Sequence, residues 1–359
     1  MRIALVKQEV YQDLYVCPAG TSCPQELLFS SMGRVGPIGL FTLLGADFYI
    51  VREDKSTECQ VYRRVLPELA DRVKLLKHRC LNEIPGRDFF RPGNELIQGD
   101  CAVDCDSVRW GDYDIVISLN VSLPKRLVRE NPQTLFCYMI GEANLAKRKV
   151  QYGYDVCLNQ EARGRIAVRP GVIDCPYTFV GPRCLERILT KRLDRQSHHS
   201  GVYAEINSCE ERPVKTVPDV YRPLQELGHP IRLHQQLIED NLTQVFDAKY
   251  FLKLGGRHIR GNSVIEAISA GTLVLMSPHD LTHHELLPPE TWVHNAEEAI
   301  ERIRFLDSQP HVYADWLQMQ RSLLQQYVTT CPLISLQNSL AYKRRRAPQI
   351  TQVGVPNVS

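Results

Sequence analysis

Short β-branched and aromatic runs alternate with segments of helical length along the whole chain, the pattern of βα units built around a parallel sheet. In the first half, strands are predicted at Arg2 to Lys7, Asp47 to Glu53, Asp114 to Asn120, Thr134 to Ile140 and Asp155 to Gln160, and VKLLKHRC reads as strand-like too. Helices are predicted over Val35 to Leu44, Tyr62 to Arg72, Pro124 to Glu130 and Ala143 to Val150. Pro124 at a helix start and Gly45 at a helix end follow the usual asymmetry of helix termini. A polar stretch from Leu193 to Gly201 interrupts the pattern, and a fresh series follows: GVYAEINS, a helix around Val220 to Leu227, PIRLH, a helix from Gln235 to Phe246, KYFLKL, a helix from Ser263 to Ala270, and TLVLMS. Residues 296 to 328 are predicted helical with a break near Pro310. The expected architecture is α/β, with two Rossmann-like domains facing a central cleft. Residues 1–195 form the first domain, 196–335 the second, and 336–359 a basic, mobile tail.

Composition narrows the function classes. A chain of 359 residues with 43% hydrophobic and 23% charged residues matches soluble two-domain proteins. The net charge is +2, and four positive charges are clustered at Lys343, Arg344, Arg345 and Arg346, so the body is slightly acidic and no nucleic-acid partner is expected. That run supports at most a weak contact of the tail with an anionic membrane surface. No stretch approaches the roughly 20 apolar residues of a membrane span. The opening MRIALVKQEV lacks an apolar export segment of about 7–15 residues, so a cytoplasmic location is expected. The twelve cysteines, ten of them in the first 190 residues, then read as reduced thiols. Cys101 and Cys105 come nearest to metal-ligand spacing but have no neighbouring histidine. His283 and His284, beside His279, Asp280 and Glu285, are adjacent in sequence and point in different directions. No metal site is predicted.

The segment from Lys249 to Pro278 carries the most chemistry: a strand, a Gly-rich turn, a helix opening at Asn262 or Ser263, and a second strand within thirty residues. Its string SVIEAISAGTLVL resembles the donor-binding unit of the two-Rossmann-domain glycosyltransferases called GT-B, with their Glu-Ala-hydrophobic-small-x-Gly-x-hydrophobic-Val pattern. The resemblance implies that the helix N-terminus faces the diphosphate of a nucleotide sugar, where unsatisfied N–H groups and the helix dipole favour an anion. It implies donor contacts from Gly255, Gly256, Arg257, Arg260, Asn262, Ser263 and Glu266, the last accepting the ribose hydroxyls, and Gly271 as the close of the helix.

One departure stands out. Many retaining members carry a second Glu eight positions before the first, and here that position is His258. Arg257 and Arg260 instead resemble the exostosin and fucosyltransferase style of site, in which a guanidinium fork neutralises charge on the departing nucleotide. Lys253, at its strand end, would add a further cation.

On the first-half side, the resemblance implies that Gly33 and Arg34 in SSMGRVG belong to the loop facing the cleft. Glu142 follows a predicted strand end, where ligand clefts of parallel sheets form. Glu142, His258 and Arg260 are thus the expected catalytic set. The first strand runs into Gln8, Glu9 and Val10 rather than G-x-G-x-x-G, which argues against a dinucleotide oxidoreductase. The resemblance implies transfer of a sugar from a nucleotide diphosphate sugar to a hydroxyl of a glycan, lipid-linked or small-molecule acceptor, with no cofactor. The alternatives are a GT-B-shaped epimerase or phosphorylase and a non-catalytic glycan- or nucleotide-binding protein.

Overall fold

The computed structural model describes residues 1–8, 45–51, 73–77, 103–119, 122–139, 153–176, 199–205, 219–233, 244–255, 258–259 and 261–347. Twelve strands among them form two fully parallel sheets. The first contains β1 (Ile3–Gln8), β2 (Asp47–Val51), β3 (Val73–Lys77), β4 (Val103–Asp104), β5 (Ile115–Leu119), β6 (Leu135–Met139), β7 (Val156–Asn159) and β8 (Val172–Asp174), in the order β4-β3-β2-β1-β5-β6-β7-β8. The second contains β9 (Val202–Ala204), β10 (Ile231–Leu233), β11 (Tyr250–Lys253) and β12 (Leu273–Met276), in the order β10-β9-β11-β12. The α/β class is as the sequence predicts. The predicted helices at 35–44, 62–72 and 143–150 and most of the polar stretch at 193–201 lie outside the described residues, as does all but the end of the helix at 235–246.

Strands buried on both faces read as continuous apolar runs, and β5, β6, β11 and β12 are buried at every position. Alternation then sorts their side chains between two cores. In the second sheet Tyr203, Phe251, Val274 and Met276 pack with Val264, Ile265, Ala267 and Ile268 of helix α3 (Asn262–Ala270). On the opposite face Val202, Ala204, Tyr250, Leu252, Leu273 and Leu275 pack with Ala299, Ile300, Ile303 and Leu306 of α4 (Ala296–Ser308). The earlier helices are α1 (Lys125–Glu130), introduced by Pro124, and α2 (Arg222–Glu226). Ala162, from the link between β7 and β8, belongs to the core beneath α3 and so joins first-half sequence to second-half packing.

The helical stretch breaks where predicted, because Pro310 opens α5 (Pro310–Leu324) and cannot continue α4. A π-helical turn, Gln325–Thr330, then leads into α6 (Cys331–Arg346). Gln320 of α5 is fully buried and reaches the outer edge of β12, where its carboxamide accepts from Val274 N at 3.0 Å and donates to Val274 O at 2.8 Å.

The end of the chain departs from expectation. Residues 336–346 are helical, and the first two cations of the basic run, Lys343 and Arg344, are bound at the first sheet, while residues 348–359 of the expected tail lie outside the described residues. Ser335 Oγ accepts from Ala167 N at 2.9 Å and Asn338 donates to Ala167 O at 3.1 Å. Lys343 Nζ sits 2.6 Å from both Asp155 and the Thr134 carbonyl, while Arg344 pairs with Asp114. These acceptors precede β5, β6 and β7, so the cations at the end of α6 meet carboxylates at the strand starts, and the helix dipole favours the same placement. The apolar stripe that α6 buries is short, with Leu336 and Leu340 one turn apart, and the contacts at its basic end are polar, so little hydrophobic periodicity is left to read. No helix among the described residues is long and apolar enough to cross a membrane.

Candidate functional site

Parallel sheets bind ligands outside the carboxyl ends of their strands, where the chain changes direction across the sheet. In the second sheet that point lies between β9 and β11, since β10 is added on one side and β12 on the other. The register pairs Leu252 with Ala204, so Lys253 and Glu205 come next at neighbouring strand ends. Strand alternation puts both on the α3 side, with Tyr203 and Phe251. Both are buried: Lys253 is 0% exposed and Glu205 7%. Tyr203 donates to Glu205 Oε2 at 3.1 Å, and Lys253 Nζ donates to the Gly255 carbonyl. Lys253 therefore does not reach into solvent as the further cation expected from sequence.

Past Lys253 the chain turns at Gly255, whose φ of 66° is in the left-handed region and whose missing Cβ would meet open space. Helix α3 begins after Gly261, which has a φ of 111°. A Cβ there would lie 2.5 Å from Leu281 Cδ1 and 3.0 Å from His283 Cδ2, so glycine is required both by conformation and by space. Leu281 and His283 belong to the loop after β12, and that loop is stitched to the segment before α3. Ile259 N donates to Asp280 O at 2.8 Å and Thr282 N donates to Ile259 O at 3.0 Å.

His258 completes the seam, with Nδ1 3.0 Å from the His279 carbonyl and Nε2 3.0 Å from Thr282 Oγ1. A carbonyl only accepts, so Nδ1 carries a proton and Nε2 faces the hydroxyl. Both ring nitrogens are thus employed in joining two loops.

Within α3, Asn262 and Glu266 are four residues apart and share a face, with Ser263 beside them on the first turn. Asn262 Oδ1 is enclosed without a hydrogen-bond partner among the described residues. Glu266 is 8% exposed, more deeply set than a solvent-facing helix carboxylate. Gly271 closes the helix as predicted, its φ of 89° letting its N–H reach the carbonyls of Ala267 and Ile268. The helix N-terminus, the Asn262–Glu266 face and the strand-end pair Glu205 and Lys253 are therefore neighbours at one end of one sheet.

The remaining sequence-predicted positions, Gly33, Arg34, Glu142, Gly256, Arg257 and Arg260, lie outside the described residues. Gly261, Glu205 and Thr282 are members of this region that sequence reasoning missed. The only available signal was the positional one, of a glycine before a helix and a carboxylate after a strand.

Two other chemistries find little footing among the described residues. No group of three or more His, Cys, Asp or Glu side chains is arranged to hold a metal ion; His283 is fully buried against Gly261 while His284 is half-exposed beside Glu285. Cys105, Cys137, Cys157, Cys175 and Cys331 are all free thiols. Burial pushes each of them up, Cys105 and Cys175 to about 12, so none offers a thiolate nucleophile near neutral pH.

No protein-family model matches the chain, and no curated protein matches it. Among solved structures it is similar to a sucrose-phosphate synthase from Thermosynechococcus elongatus, with a TM-score of 0.40 and 11% identity over 96% of this chain and 99% of that one. It is also similar to T4 phage BGT in complex with UDP and Mn2+ (TM-score 0.37, 11% identity, 96% and 99% coverage). A third similarity is to a trehalose-6-phosphate protein from E. coli bound with UDP-2-fluoro glucose (TM-score 0.34, 11% identity, 96% and 97% coverage). At these values the likeness assigns no residue, and the reading of the site rests on its own geometry.

Proposed function

We propose that the chain is a GT-B type glycosyltransferase that binds a nucleoside diphosphate sugar at the strand-exit end of the second sheet and transfers the sugar to a hydroxyl acceptor. The observation that carries this reading is the opening of α3 directly after the close-packed Gly261, with Asn262 and Glu266 on one face above the switch point of a parallel sheet. A helix start of this kind presents backbone N–H groups and a partial positive charge, which suits a diphosphate. Glu266, one turn further on, is suited to accept two ribose hydroxyls. In this reading Ser263 and the Asn262 carboxamide contact phosphate oxygens. Arg260 and Arg257 neutralise charge as the nucleotide leaves, and such stabilisation acts mainly on turnover. His258 holds the two loops together. Glu142 remains the proposed base on the acceptor side, with Gly33 and Arg34 as the facing loop.

Titration calorimetry against UDP, GDP, CDP and dTDP tests the reading directly. One of the four is expected to bind, and Glu266→Ala is expected to weaken it by about 1.5–3 kcal/mol, the scale of hydrogen bonds to a charged group. Arg260→Lys is expected to cost turnover more than affinity, because it keeps the charge and loses the fork. Absence of binding by all four would withdraw the donor site. Binding without any transfer or hydrolysis of the matching nucleotide sugar would leave a binding protein.

A further inference from the structure

An ammonium group taken fully out of water is costly unless it is given partners, and a lysine is among the residues least often completely buried. Lys253 is one of the largest fully buried side chains among the described residues and lies at the carboxyl end of β11, on the side of the sheet that faces α3. A core-filling role would be served as well by Met or Leu, which occupy the paired end of β12 and the preceding position of β11 respectively. What the ammonium adds is a hydrogen bond to the carbonyl of Gly255, the left-handed residue at which the chain leaves the sheet toward α3.

The constraint on that turn is asymmetric. Gly255 has nothing within 4 Å of where its Cβ would be, so side-chain packing does not hold it, and a glycine in open space has the widest choice of backbone conformations. At the far end of the same connection Gly261 is held tightly by Leu281 and His283, and Ile259 is hydrogen-bonded to the neighbouring loop. The near end is held from beneath by Lys253. Glu205, at the adjoining strand end and on the same side, keeps the surroundings of the ammonium polar and acidic.

We infer that Lys253 is a positioning residue: from inside the core it pins the Gly255 turn, and so presets the connection that delivers the N-terminus of α3 to the donor diphosphate. It acts through the backbone and does not touch the nucleotide. This deepens, and rests on, the donor-site reading given above.

Two measurements on the full chain separate the inference from that reading. The first is hydrogen–deuterium exchange without nucleotide, comparing wild type with Lys253→Met. The peptide carrying Gly255 and Gly261 is expected to exchange at least tenfold faster in the variant, with peptides of β9 and β12 unchanged. The second is titration of the tightest binder among UDP, GDP, CDP and dTDP alongside its own nucleoside. The variant is expected to lose tenfold or more in affinity for the diphosphate and less than threefold for the nucleoside.

Unchanged exchange in the turn overturns the inference whatever the nucleotide result. Equal losses for diphosphate and nucleoside, with faster exchange throughout, also overturn it, because they describe a merely structural residue. Slow exchange in the turn combined with lost diphosphate affinity overturns it in favour of direct contact. If no nucleotide binds the wild type, the donor-site reading falls while exchange still decides the pinning. Should Lys253→Met not melt cooperatively, Lys253→Gln takes its place; it is polar but one bond too short to reach the Gly255 carbonyl, and the same two outcomes apply.

Discussion

The two ends of the parallel strands are built on opposite principles. At the strand-entry end, charges are paired across long sequence separations. Asp307, in the last turn of α4, receives Lys249 at 2.6 Å, His229 at 2.7 Å and the Tyr250 hydroxyl at 2.8 Å, and Asp114 and Asp155 receive Arg344 and Lys343 from α6. At the strand-exit end of the second sheet, shape is set by loop-to-loop backbone bonds, the close-packed Gly261 and a buried lysine, and Asn262 Oδ1 has no hydrogen-bond partner among the described residues. Completed ion pairs at the entry end serve stability. Preset but incompletely satisfied polar groups at the exit end are what a ligand site requires.

The sharpest way to break this contrast is at Gly261. Gly261→Ala combines left-handed strain with a Cβ pressed against Leu281, and is expected to destabilise by about 3 kcal/mol in urea unfolding while disturbing nucleotide binding. A near-neutral result would mean that the two loops are not joined as described.

Next in size is Asp307→Ala, expected to cost about 2 kcal/mol by removing charged hydrogen bonds, with nucleotide affinity unchanged. Burial raises the carboxyl pKa of Asp307, but donors from Lys249, Tyr250 and His229 outweigh it and hold it below the usual carboxylate range. Asp114 behaves likewise, burial being overcome by the Arg2 backbone N–H and by Arg344. A carboxyl held low in the fold contributes stability that is complete above its unfolded-chain pKa, near 4. That contribution disappears as pH falls through the depressed value. Wild type should therefore lose stability below pH ~4 more steeply than Asp307→Ala, as thermal melts across that range would record.

Smaller again is the pair Lys343→Ala with Arg344→Ala, expected to lower stability by about 1.5 kcal/mol without affecting nucleotide affinity. An unchanged melting temperature would return the basic run to the status of a loose tail. The smallest effect is expected at Gly255→Ala, where the new methyl group enters open space and only conformational strain of about 1 kcal/mol remains. A loss as large as at Gly261 would erase the distinction between the open and the packed glycine.

The strands were legible because buried parallel strands are written as unbroken apolar runs, and LFCYM, YFLK and LVLM can hardly be read otherwise. β4 and β8 were not: β4 is two residues long, and β8 is three residues with its first, Val172, exposed. Helix α6 was misread as tail because its buried apolar stripe is short, Leu336 and Leu340, and the rest of its docking uses Ser335, Asn338, Lys343 and Arg344, polar residues whose partners are about 170 to 230 positions away. At the site, α3 and its closing Gly271 were legible from a local pattern. The need for Gly261 depends on Leu281 and His283, the work of His258 on His279 and Thr282, and the burial of Lys253 on the sheet beneath it. Each is a contact between segments, and no local window contains it.

The carboxamide of Gln320 has a consequence for how this molecule behaves in a crowd. Among the described strands β12 lies at the edge of its sheet, and an edge strand ordinarily offers its outward N–H and C=O groups to any other extended chain. Here both outward groups of Val274 are taken by one glutamine side chain, Val293 N donates to the Met276 carbonyl at 3.3 Å, and Trp292 lies alongside as an isolated bridge partner. A side chain thus stands in for the missing fifth strand, and the sheet is terminated from within. Gln320→Leu would keep the bulk and free those groups, so its signature would be concentration-dependent self-association through β12 that appears while most of the helix it came from is still folded.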